Sequence, residues 1–152
     1  MKYEIVELEE MRVSGLSVRT TNENMQAVAD IGSTWQKLIT NQSLLKRPAR
    51  LNEKAIGLYT EYESDFTKPY TFLAGYEVSE HEEKVKELSH FYIQPGKYAK
   101  FTVKGDVQKT VLEAWQAVWA TDLDRAYTTD FEYYHNDGDM TDTTIDIFIA
   151  LK

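Results

Sequence analysis

The stretch Ile56–Val78, IGLYTEYESDFTKPYTFLAGYEV, superposes without a gap on Thr129–Leu151, TDFEYYHNDGDMTDTTIDIFIAL. In both, a strand-like run leads through turn residues into a second strand-like run. The turns, Ser64-Asp65-Phe66-Thr67-Lys68-Pro69 and Asn136-Asp137-Gly138-Asp139, coincide in the superposition. Upstream, Leu16-Ser17-Val18-Arg19 lies over Phe101-Thr102-Val103-Lys104, and Trp35-Gln36-Lys37-Leu38-Ile39-Thr40 over Trp115-Gln116-Ala117-Val118-Trp119-Ala120. Three matches in one order, with length differences confined to loops, identify an internal duplication.

Working outward, Tyr3–Leu8 and Met11–Arg19 alternate as strands, the second with a kink at Ser14-Gly15. From Asn24 the period becomes helical, through Met25, Val28, Ile31, Trp35, Leu38 and Ile39. Thr21 or Asn22 is the expected N-cap, and a polar stretch with Pro48 ends the element. Ala55–Tyr62 and Tyr70–Val78 read as the next strands, and a charged bridge runs from Ser79 to Glu87. Beyond it come Phe91–Ile93, the Pro95-Gly96 break and a strand over Lys97–Lys104. Asp106 caps a helix with apolar positions Val107, Val111, Leu112, Trp115, Val118 and Trp119. Thr129–Tyr134 and Thr143–Leu151 close the chain as strands. The expected fold is therefore α+β: duplicated strand–helix–strand–strand units, an antiparallel sheet, and two main helices around a central ligand groove. One domain is expected over residues 1–152, with pseudo-repeats at 1–78 and 89–152 and a bridge at 79–88.

Composition narrows the function. The 152 residues include no cysteine, which removes disulfides, zinc-thiolate sites and thiol nucleophiles, and fits a reducing cytoplasm. A formal charge of −8, from 25 acidic and 17 basic residues without a basic stripe, opposes direct nucleic-acid binding. The N-terminus has no apolar signal-peptide core, and no run approaches the ~20 apolar residues of a membrane span. The 10 Tyr, 6 Phe and 3 Trp are a high aromatic load for so small a chain; core packing accounts for most of it, yet tyrosines also line pockets for flat ligands.

Catalytic motifs are scarce. His81-Glu82-Glu83-Lys84-Val85 opens like a zincin helix and lacks the second histidine. Asp137–Phe148 opens like a calcium loop but carries Asp142 in place of the glycine and Phe148 in place of the bidentate glutamate. No metal or cofactor site is expected. The histidines are scattered, and His135 at a strand end reads as exposed. Glu132 stands out, lying inside a strand between aromatic residues. On a solvent-facing edge it is an ordinary strand residue. Sharing an inward face with Tyr134, it is a buried carboxylate whose pKa should rise. The duplication lays Tyr59 over Glu132 and Glu61 over Tyr134, so each half offers a Tyr/Glu pair. Phe72 and Tyr76 share a strand face, and Trp35 and Trp119 late in the two helices are placed to close the walls, although core packing is the safer reading of both tryptophans and predicts loss of stability on truncating either. Rings around one carboxylate favour flat cations.

Ala55-Ile56-Gly57-Leu58-Tyr59, Phe131-Glu132-Tyr133-Tyr134 and Ile145-Asp146-Ile147-Phe148-Ile149 resemble the GyrI-like effector-binding domains, stand-alone or as C-terminal ligand domains of AraC-type and MerR-type regulators. The resemblance spans the chain, and its most specific part is Phe-Glu-x-Tyr at Phe131–Tyr134. It implies a multidrug-type groove for lipophilic, often cationic aromatic molecules, with Glu132 as the pocket carboxylate and Tyr134 and Tyr59 beside it. Tyr76, Phe72, Trp35 and Trp119 complete the expected ligand-binding set from periodicity. Some relatives hydrolyse strained cyclopropane rings of DNA-alkylating compounds, which would make Glu132 a general base with Tyr134 as partner. Another protects a topoisomerase from toxins, which makes a protein-interaction module the second alternative for this chain. The regulators carry a helix-turn-helix region before this domain, whereas here the ligand domain is read from Met1, so direct DNA contact is not expected. Binding is favoured over turnover, since catalysis demands positioned partners that no motif supplies.

Overall fold

The structure, a computed structural model, describes residues 1–45, 50–79, 86–135 and 141–152. Its strands are β1 (Glu4–Leu8), β2 (Met11–Thr20), β3 (Arg50–Thr60), β4 (Tyr70–Val78), β5 (Ser89–Ile93), β6 (Gly96–Gly105), β7 (Thr129–Tyr134) and β8 (Thr143–Ala150). Helix α1 covers Gln26–Thr40, the single turn α2 Gln42–Leu45, and α3 Val107–Ala120. The α+β class and the strand–helix–strand–strand order of both halves follow the sequence reading. The Pro48 stop, the His81–Val85 motif and the Asn136–Asp139 turn lie outside the described residues.

Among the described residues the eight strands form one antiparallel sheet in the order β1-β6-β8-β7-β3-β4-β2-β5. The order is a palindrome. The halves meet at β3 and β7, where Leu58 faces Phe131, the two residues that the internal superposition equates. At the outer edges the leading strands exchange: β1 pairs with β6 of the second half, and β5 with β2 of the first.

The helices take one face of this sheet. α1 packs over β2 and β4, and α3 over β6 and β8. One apolar cluster under α1 holds Leu38, Phe72 and Ala74, and its counterpart under α3 holds Phe101, Trp115, Val118 and Ile147. Because strand side chains alternate, Ile56, Leu58, Phe131 and Phe148 point to the other face. There the sheet curls so that Val13 and Ile93 from one edge join them in a third cluster. Gln94, just past β5, donates its backbone N–H to Thr129 Oγ1 of β7, which ties the curl. Among the described residues no helix is long and apolar enough to cross a membrane.

Several local expectations are corrected. Neither Thr21 nor Asn22 caps α1. The chain enters through a single 3-10 turn (Glu23–Met25) with Asn24 and Met25 in left-handed conformations, and Met25 occupies the cap without a side-chain bond. Asn22 instead joins the β3–β4 loop, donating to the Phe66 carbonyl at 2.9 Å and accepting from the Tyr70 hydroxyl at 2.7 Å. β3 begins at Arg50 rather than Ala55, and stops at Thr60 because Glu61 adopts a φ of 50°. β2 runs on through Ser14-Gly15. Gly15 faces Gly75 of β4, and a Cβ on Gly15 would sit 2.1 Å from the Ala74 carbonyl oxygen, so both positions serve close strand approach. Asp106 caps α3 as expected, its carboxylate accepting from the Lys109 N–H at 3.1 Å.

Candidate functional site

Each helix covers the outer strands of its own half, so the central strands β3 and β7 are left without a helix above them. A cleft of about 970 Å³ opens there. Its volume is at the upper end of drug-sized ligand sites, ~300–1,000 Å³. Val28, Ile31 and Ile39 of α1 form one wall, and Val111, Leu112 and Trp119 of α3 the other. Val28, Ile39, Leu112 and Trp119 are exposed although apolar. The stripe on each helix is thus wider than its contact with the sheet, the surplus facing the cleft.

The floor is built on strand parity. Tyr59 of β3 and Glu132 and Tyr134 of β7 project to the helix face, and Glu132 is 1% exposed. Its carboxylate accepts three hydrogen bonds: Oε2 from the Tyr59 hydroxyl at 2.8 Å and the Trp115 Nε1–H at 2.7 Å, and Oε1 from the Tyr134 hydroxyl at 2.7 Å. Gly57, opposite Glu132 in the register, makes the space, since a Cβ there would lie 2.9 Å from Oε1 and 3.1 Å from the Trp35 ring. Tyr59, Tyr134 and Trp115 all border the cleft, whereas Glu132 lies behind them. Burial raises the Glu132 pKa, and the three donors partly oppose the rise. Burial, and then the adjoining Glu132 charge, push the Tyr59 and Tyr134 hydroxyls well above the usual tyrosine range.

A second buried carboxylate, Asp130, lies two residues before Glu132 and is wholly enclosed. Its environment differs. Arg125 Nη2 donates to Oδ2 at 2.8 Å, the Tyr62 hydroxyl to the same oxygen at 2.7 Å, and the Ala150 N–H to Oδ1 at 2.8 Å. Asp130 therefore has a cation of its own. The ion pairs among the described residues do not include Glu132.

The candidate residues from the sequence divide by position. Tyr59, Tyr134, Tyr76, Trp35 and Trp119 line the cleft, and Glu132 lies behind its floor. Phe72 does not line it: fully buried, it supports the wall edge-on against Trp35 and Tyr59, with centroids 5.9 and 5.1 Å apart. Tyr76 already holds the Arg50 guanidinium 3.9 Å from its ring centroid. Core packing does not describe Trp119, which is 51% exposed and leans on Trp115 with centroids 6.4 Å apart. The symmetric Tyr/Glu pair fails to form, because Glu61 lies beyond the end of β3 and turns outward to Thr71 Oγ1. His135, read as exposed, is half-buried with Nε2 2.5 Å from Asp146 Oδ2.

The sequence reading missed Trp115, Asp130, Arg125, Tyr62 and Tyr70 as site residues. The signal for Trp115 was present, since the superposition equates it with Trp35. Asp130 shares strand parity with Glu132. Arg125 lies in irregular chain after α3, where periodicity carries no information.

Residues 4–151 match the family described as Cass2, integron-associated effector binding protein. YobU of Bacillus subtilis (strain 168), assigned by name to transcriptional regulation, is 30% identical, the alignment covering 97% of this chain and 96% of YobU. Among solved structures, the integron cassette protein VCH_CASS2 from the mobile metagenome of Vibrio cholerae is 33% identical with a TM-score of 0.77, covering 99% of this chain and 95% of that one. SAV2435, solved bound to tetraphenylphosphonium, shares the fold at a TM-score of 0.77 and 19% identity, covering 100% of this chain and 94% of its own.

Proposed function

The chain belongs to the integron-associated effector-binding family, and from that premise we propose that its cleft takes lipophilic aromatic cations, with Glu132 setting the preference for positive charge. Small-molecule binding itself comes with the family. The finer reading rests on one observation: of the two enclosed carboxylates below the cleft, Asp130 is paired with Arg125, and Glu132 has hydrogen bonds but no cation. Hydrogen bonds from neutral donors stabilise a buried carboxylate only in part, and a positive ligand supplies the missing charge.

The ligand meets that charge through rings. Tyr59, Trp115 and Tyr134 direct their polar ends at Glu132 and form part of the cleft surface, so a cation in the cleft faces aromatic groups whose dipoles are oriented by the carboxylate. Binding fits better than turnover. Glu132 is 1% exposed and lies behind Tyr59, Trp115 and Tyr134, so it does not meet a water in the cleft as a base would have to.

Tetraphenylphosphonium, the ligand in the SAV2435 structure, is a suitable probe because its charge is permanent. Calorimetric titration should show stoichiometric binding, at least tenfold tighter than that of neutral triphenylphosphine oxide, with excess ligand recovered unchanged. Equal affinity for the two would remove the charge preference, and binding of neither would remove the reading altogether.

A further inference from the structure

Tyr70 and Tyr76 both line the cleft and stand six residues apart in β4, so the cleft follows ~20 Å of strand. Within that span Ala74 pairs with Gly57 of β3, and Gly57 with Glu132 of β7. The enclosed carboxylate without a cation therefore lies inside the length of the cleft, with space for a ligand on both sides of it. Among the described residues that line the cleft none is acidic, and Arg125 is the only charged one.

The ends differ from the middle. At the Tyr76 end the protein supplies a cation of its own: the Arg50 guanidinium lies 3.9 Å from the Tyr76 ring centroid, and its Nη2 donates to Gln42 Oε1 at 3.1 Å. The Arg50 side chain is 6% exposed, whereas that of Glu53, 3.3 Å away, is 79% exposed. Water screens the carboxylate far more than the guanidinium, which leaves this end positive. At the Tyr70 end the rings of Tyr62 and Tyr70 have centroids 5.7 Å apart, and Asn22 joins Tyr70 to the Phe66 carbonyl. The charge there is balanced, Arg125 against Asp130 at 2.8 Å. Asp30 of α1 does not line the cleft, and its carboxylate accepts from Thr20 and Gln26.

We propose that the preferred ligand is an elongated aromatic cation with one charge near its middle and uncharged arms, and that Arg50 excludes a second charge at the Tyr76 end. This deepens the aromatic-cation reading and rests on it. Glu132 attracts the charge in the middle, the rings and apolar walls take the arms, and a cationic group on an arm meets either the Arg50 guanidinium or a carboxylate that Arg125 has already neutralised. Selection then acts on where a ligand carries its charge as well as on whether it has one.

The test uses three ligands of one shape, since tert-butyl and trimethylammonio groups are isosteric. Bis(4-tert-butylbenzyl)dimethylammonium has its charge in the middle. An analogue with a quaternary carbon in the middle and one tert-butyl replaced by trimethylammonio has that single charge at an end. A trication keeps the middle nitrogen and has trimethylammonio at both ends. Calorimetric titration at about 0.15 M salt screens long-range attraction to the net charge of −8. The wild type should bind the middle-charged ligand at least fivefold tighter than either of the others. Arg50→Gln removes the charge and keeps an amide facing Gln42, and should narrow the gap between the trication and the middle-charged ligand at least threefold. Wild-type ratios under fivefold, or a gap that Arg50→Gln leaves unchanged, overturn the proposal. Both leave the cation reading standing where tetraphenylphosphonium still binds tighter than triphenylphosphine oxide. Binding of none of these cations, tetraphenylphosphonium included, overturns both. The wild-type ratios decide the matter even if Arg50→Gln does not fold.

Discussion

Replacing Glu132 by glutamine removes the charge while the hydrogen-bond network can be rebuilt. A glutamine carbonyl in the place of Oε2 still accepts from Trp115 and Tyr59, and the amide nitrogen in the place of Oε1 donates to the Tyr134 oxygen once that hydroxyl rotates. Trp115 is an obligate donor and Tyr134 is not, so only this amide orientation works. The fold should therefore persist, and at neutral pH relief of the buried charge should leave stability equal or higher. The cost falls on cation binding. A cation against the ring faces lies ~7 Å from the carboxylate, which at an effective dielectric constant of ~20 corresponds to ~2.4 kcal/mol. That converts to a loss of about 50-fold in affinity. Fluorescence titration with rhodamine 6G, a cation, and Nile red, a neutral dye, separates charge from shape. Affinity for rhodamine 6G should fall by more than tenfold, while affinity for Nile red moves by less than about twofold. Equal loss for both dyes, or no loss for either, would refute the charge-pairing role.

Affinity for tetraphenylphosphonium should rise with pH through the elevated Glu132 pKa and level off above it, because a bound cation favours the ionised carboxylate. In Glu132→Gln the profile should be flat, and a slope common to both proteins would assign the titration elsewhere. Folding stability has the opposite slope: a carboxyl whose pKa is raised by burial favours the folded state fully below the ordinary glutamate value, and that contribution is lost as pH rises through the raised one. Denaturant midpoints of the wild type relative to Glu132→Gln should fall across that window. Trp119→Ala should change stability by less than ~1 kcal/mol and weaken ligand binding, since its ring is half exposed at the cleft rim. Trp35→Ala, which loses edge contacts to Phe72 and Tyr134, should cost ~2–4 kcal/mol, and urea melts showing equal costs would contradict the assignment. Gly57→Ala should destabilise by ~1–3 kcal/mol and weaken cation binding, because its methyl would press on Glu132 Oε1 and the Trp35 ring; an unchanged melt would show that the strands separate there without cost.

Much of the fold was legible in the sequence because its signals are local. Composition placed a strand near Thr129–Tyr134, where β7 lies, and helical spacing with Asp106 as cap located α3. Element ends were read less well where the backbone departs from ordinary conformations. The left-handed residues Asn24 and Met25 delay α1, and Glu61 shortens β3. Asn24 is of a type that takes positive φ more readily than most, but Met25 and Glu61 carry no such signal.

The site divides along the same line. Strand parity by itself put Glu132 and Tyr134 on one face, and the gapless repeat by itself brought Tyr59 into correspondence with Glu132. Only the tertiary structure decided that β3 pairs with β7, which carries the Tyr59 hydroxyl of one half onto the Glu132 of the other. It also decided that α1 and α3 leave those two strands uncovered, that Trp115 rather than Trp119 donates to the carboxylate, and that Arg125 compensates Asp130 and not Glu132. Periodicity fixes which way a side chain points from its own element. What it meets there depends on which elements bury each other's apolar faces, and that choice is made by the whole chain.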